Sequence, residues 1–95
     1  MILIKLRENS LEIKGHAMYA RPGEDIVCSA VSALGLTAAE CMLREEQEGK
    51  LKVLSCNIGS GNLSLKWQGK AQFISTIGVG LELIEKNYKE YVKAV

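Results

Sequence analysis

Residues 15–34 read GHAMYARPGEDIVCSAVSAL, and two periodicities meet inside them. Just upstream, Ile2, Ile4 and Leu6 fall on one face of a strand, Asn9-Ser10 signals a turn, and Leu11 and Ile13 alternate with Glu12 and Lys14. That pattern predicts an antiparallel hairpin with one buried face. Gly15 to Asp25 then loses all period and carries Gly15, Gly23 and the only proline, Pro22, which predicts a loop. From Ile26 the period becomes helical. Val27, Val31, Leu34, Ala38 and Met42 form a core stripe, with Asp25 in the N-cap position and Gly49 in the stop position.

Beyond the helix, Leu51, Val53 and Ser55 alternate with Lys52, Leu54 and Cys56, and Leu63, Leu65 and Trp67 alternate with Ser64, Lys66 and Gln68. Gly59-Ser60-Gly61-Asn62 between them predicts a hairpin turn. It lacks the Gly-Lys-Ser/Thr and the helix start of a phosphate loop. Ile74, Ile77, Leu81, Ile84, Tyr88 and Tyr91 predict a final helix. The order β-β-α-β-β-α predicts an α+β two-layer sandwich, an antiparallel four-stranded sheet with both helices on one face. Its 95 residues suit one domain, 1–95, small enough for surplus apolar surface to favour a dimer.

Composition removes several function classes. Net charge is +1 with no basic block, and Trp67 and Phe73 are the only Trp and Phe, so direct nucleic-acid binding gains little support. Charges at Lys5, Arg7 and Glu8 interrupt the N-terminus too early for a signal core. The weakly polar run 26–39 falls short of the roughly 20 residues of a membrane span. Three cysteines with no CxxC pair, and one histidine, argue against a disulfide framework, a structural metal site or any cofactor. Free thiols suit the cytoplasm.

Chemistry concentrates where the loop joins the sole histidine, His16, to Cys28. With Asp25 as N-cap, Cys28 is the third helical residue, near N–H groups that lack partners within the helix and near the positive end of its dipole. Both favour thiolate over thiol, and His16 could take the thiol proton. Asp25 opposes this if its charge faces the sulfur, and is harmless if spent on capping. Ser32, one turn on, shares the face of Cys28. Backbone N–H groups from Asp25 to Cys28 are the expected oxyanion donors. Cys41 and Cys56 sit in apolar patterns and are expected in the core.

The same run, Gly15 to Leu34, resembles the signature of the ribosomal-processing cysteine proteases, the Prp or YsxB-like family: Gly-His-Ala, a loop with Gly-x-Asp, then Ile-Val-Cys, small residues and Ser-Ala. The resemblance implies a homodimeric endopeptidase that removes an N-terminal extension from ribosomal protein L twenty-seven of the large subunit. Cys28 matches the nucleophile and His16 the general base. Asp25, Ser32, Gly15 and Gly23 match supporting positions, and the loop is expected to move when substrate binds. Ser29 departs from the usual small apolar residue. The segment Arg44–Lys50 is short for the family. Relatives also accompany capsid genes, so a phage structural protein is an alternative substrate. A non-catalytic ribosome-associated binding module and a thiol redox sensor are the rival functions.

Overall fold

The computed structural model describes residues 1–21 and 23–95; Pro22, expected in the loop, lies outside the described residues. Strand β1 (Ile2–Arg7) and strand β2 (Ser10–Lys14) pair antiparallel through a two-residue turn at Glu8-Asn9, with Ile4 opposite Ile13 and Leu6 opposite Leu11. Helix α1 (Ile26–Gln47) follows the loop. Strand β3 (Lys52–Gly59) and strand β4 (Asn62–Gln68) form the second hairpin, helix α2 (Ile74–Asn87) follows, and a short strand β5 (Val92–Ala94) ends the chain.

The sheet order is β3-β4-β2-β1-β5. Alternation puts Ile2, Ile4, Leu11, Ile13, Leu63, Leu65 and Trp67 on one buried face, against Val27, Val31, Ala38 and Met42 of α1 and Ile77 and Leu81 of α2. Each large apolar side chain so buried contributes about 1.5–3 kcal/mol. The two-layer α+β class therefore holds.

Three details differ from the sequence reading. The sheet has five strands and is mixed, because β5 pairs parallel with β1, Ile2 beside Val92. The last helix ends at Asn87 rather than running on to Tyr91. The open edge of β1 offers a ladder that captures the chain instead, and the Ile2 N–H donates to the Tyr91 carbonyl at 2.8 Å. In β3 the register shifts between Val53 and Ser55, so Cys56 and Ile58 stand opposite Leu65 and Leu63. Cys56 is nevertheless exposed, since β3 is an edge strand; Cys41 is half-buried against the core as expected.

Helix ends are set by local chemistry. Asp25 caps α1 by accepting from the Cys28 N–H at 2.9 Å. At the other end Gly49 takes φ +75°, Lys50 N–H donates to Glu45 O, and Gly49 N–H donates to Glu46 O, the paired bonds of a glycine C-cap. The start of α2 has no side-chain cap of its own. Buried Glu45 of α1 supplies one, accepting from the N–H groups of Gln72 at 2.8 Å and Phe73 at 3.2 Å. By length and composition α1 could cross a membrane. Seven of its residues, Glu45 among them, are buried in the fold.

Candidate active site

Between the first half of α1 and the tips of β2, β3 and β4 lies a cavity of about 1090 Å³. Its walls are apolar at Ile2, Ile13, Val31, Leu36, Ile58 and Leu63. All six residues singled out from the sequence, Gly15, His16, Gly23, Asp25, Cys28 and Ser32, line it.

The loop is organised by one carboxylate. Asp25 Oδ1 receives the Cys28 N–H, while Oδ2 receives the N–H groups of Tyr19 at 3.0 Å and Ala20 at 3.4 Å. The Cys28 backbone N–H is the chief reason its carboxyl is held below the ordinary value of 3.8; burial opposes, and the Tyr19 and Ala20 N–H groups and the Cys28 side chain add to the lowering. The charge is thus spent on capping and on clasping the loop to the helix. Tyr19 is a second anchor. Its ring meets Tyr88 edge-on at 5.8 Å and Tyr91 at 5.1 Å, docking the loop on the segment after α2.

Cys28 is the third residue of α1, as the cap position predicts. It is half-buried, and its sulfur accepts from the Ala17 N–H at 3.2 Å. Ala17 follows His16 directly, so the histidine backbone is held beside the sulfur. The His16 ring is exposed to the cavity and lies against Gly61 in the turn between β3 and β4. Gly15 makes this approach possible. Its φ is +100°, a Cβ there would collide with the Met1 carbonyl oxygen, and its N–H donates to the Gly61 carbonyl at 2.9 Å.

One expectation narrows. The Cys28 N–H is taken by Asp25, so among the expected oxyanion donors from Asp25 to Cys28 that one is not free, and the Ser29 N–H beyond them is taken by the Asp25 carbonyl. Ser32 lines the cavity and is exposed, but among the described residues no hydrogen bond joins it to Cys28 or His16. The sequence reading missed the Ala17 N–H, the Tyr19 anchor and the Gly61 contact. Only the Tyr19 anchor left a trace in the sequence, one tyrosine in the loop and the other two at the end of the expected last helix. Among the described residues no cluster of ligating side chains could hold a metal ion.

The family model described as cysteine protease Prp matches residues 1–93. The ribosomal processing cysteine protease Prp of Mycoplasma genitalium is 50% identical over 34 residues, a stretch that is 36% of this chain and 34% of that protein, so the match spans about a third of the relative's length. The fold is similar to that of the essential ribosomal processing protease Prp of S. aureus. With a covalently linked product peptide, that structure gives a TM-score of 0.76 at 23% identity over 98% of this chain and 94% of the other. With a substrate peptide, the score is 0.70 at 21% identity over 99% and 95%.

Proposed function

The chain belongs to the cysteine protease Prp family, and from that premise we propose that it is an endopeptidase in which Cys28 is the nucleophile and His16 the general base. The observation that carries the assignment is the 3.2 Å contact from the Ala17 N–H to the Cys28 sulfur, which holds His16 and Cys28 in one cavity at a helix start. In the reaction His16 takes the thiol proton as the sulfur attacks the peptide carbonyl carbon. The C–N bond breaks, and His16 passes the proton to the leaving amine. Water then hydrolyses the thioester, releasing a carboxylic acid and restoring the thiol. Asp25, Gly15 and Gly23 serve the loop that presents His16, and Ser32 lines the wall beside the sulfur. Entry of substrate moves this loop, which requires release of its Tyr19 or Asp25 anchors.

The substrate in this reading is the N-terminal segment of a ribosomal protein, the large-subunit protein L twenty-seven. The relatives named for ribosomal processing support it, as does an open apolar cavity suited to an extended chain. The enzyme works in the cytoplasm, where its three free thiols persist. It works as a homodimer, a second copy covering outward apolar side chains such as Val79 and Leu83; a monomer mass in sedimentation would remove that part.

The test is cleavage of the ribosomal precursor followed by mass spectrometry. Cys28→Ala and His16→Ala are each expected to lower kcat by about 10³-fold or more. Cleavage by Cys28→Ala at the wild-type rate sinks the proposal. Cleavage of a capsid precursor but not the ribosomal one transfers the substrate to the phage class and leaves the chemistry in place.

A further inference from the structure

We propose that Gly61, in the turn between β3 and β4, is the positioning residue that seats the His16 imidazole. The proposal rests on the reading of His16 as general base and adds the group that aims it. A Cβ built on Gly61 would lie 2.5 Å from Nε2 of His16, 2.9 Å from Cε1 and 3.2 Å from Cδ2. Real Cβ atoms essentially never approach within 3.0 Å, so a side chain here would oblige the ring, the free end of a flexible side chain, to shift. The Nε2 end of the ring therefore occupies the volume that any side chain at position 61 would take.

Two further observations make this a seat rather than a chance contact. The Gly61 carbonyl accepts from the Gly15 N–H at 2.9 Å, so the residue before His16 is pinned to the same turn that carries the ring. The turn is short and firmly closed, Gly59 pairing with Asn62 at the end of the β3–β4 ladder. The ring itself is exposed and, among the described residues, makes no side-chain hydrogen bond. Burial does not hold it in place. Its neighbours are the backbone tether at Gly15 and the surface of Gly61.

Gly61 also sits at φ +68°, and that alone would favour glycine. The chain contains the control. Gly49 has φ +75° and nothing within 4 Å of a built Cβ. Gly49→Ala therefore reports the backbone cost without the ring, and Gly61→Ala reports both. Gly61→Asn supplies a Cβ in a residue that tolerates the left-handed region, and it is the variant of choice if Gly61→Ala folds poorly.

The experiment is steady-state cleavage of one peptide substrate by wild type, Gly49→Ala, Gly61→Ala, Gly61→Asn and His16→Ala, with thermal melts and NMR of the imidazole C–H signals. His16 is the only histidine, so those signals need no assignment. For both Gly61 variants kcat is expected to fall at least about tenfold while KM stays within about twofold, because the aim of the base is a transition-state property. The imidazole signals are expected to shift in both and to stay put in Gly49→Ala. Wild-type kcat in Gly61→Asn, or a loss no larger than in Gly49→Ala, overturns the proposal. If His16→Ala also keeps wild-type kcat, the general-base reading falls and the role of Gly61 falls with it. If His16→Ala is dead and Gly61→Asn is not, only the Gly61 proposal falls.

Discussion

Replacing Glu45 by alanine tests how the two helices are joined, and the structure sets the size of the effect. The carboxylate is 7% exposed and accepts two backbone hydrogen bonds at the start of α2, from Gln72 and Phe73. Among the described residues no other side chain caps that end. Leaving a buried donor without its partner costs about 1–3 kcal/mol. The Phe73 N–H is fully buried and belongs high in that range; the Gln72 N–H is partly buried and belongs low. The better helix propensity of alanine returns only a few tenths of a kcal/mol. The expected loss is about 2–4 kcal/mol, which for a chain of this size lowers Tm by roughly 10–25 °C. Glu45→Gln keeps one acceptor oxygen but turns an amide toward the other N–H, so it should cost about half as much. Urea unfolding followed by circular dichroism measures both, and an unchanged m-value confirms that the two states are the same ones. Glu45 does not line the cavity, so kcat of the folded variant should match wild type. A loss below about 0.5 kcal/mol in Glu45→Ala would refute the capping role, because a surface glutamate costs that little.

Two other perturbations probe the loop. The Asp25 carboxyl is held low by the Cys28 N–H above all, so the stabilisation it brings is complete above 3.8 and is lost as pH falls through its lower folded value. Asp25→Asn should therefore be less stable than wild type at neutral pH, with the gap closing below about pH 4; a gap that is constant down to pH 2 would mean the carboxylate charge contributes nothing. Tyr19→Ala removes two edge-on ring contacts, worth about 0.5–1.5 kcal/mol each and toward the low end for a partly exposed ring. Limited proteolysis between residues 15 and 25 should quicken while the melt falls by roughly 4–8 °C; an unchanged cleavage rate there would show that Asp25 alone clasps the loop.

Much of this protein is a local matter, and the sequence determined it by itself. Alternation at Ile2–Ile4 and Leu11–Ile13, the helical stripe from Val27 to Met42, the Asp25 cap and the Gly49 stop depend only on neighbours a few residues away. They placed Cys28 at the third helical position and left His16 in the loop before it. The features read least well all join residues far apart in the chain. Strand β5 formed because the edge of β1 stood open, more than eighty residues earlier in the chain. Glu45 became a cap only where α2 arrived beside it. The turn at Gly61 looked like a simple hairpin connection, because nothing in its own residues reports what lies above it. Periodicity says which face of an element is buried, but not which distant atom it meets. Packing alone decided that the His16 ring would rest on Gly61 and the Ala17 N–H on the Cys28 sulfur.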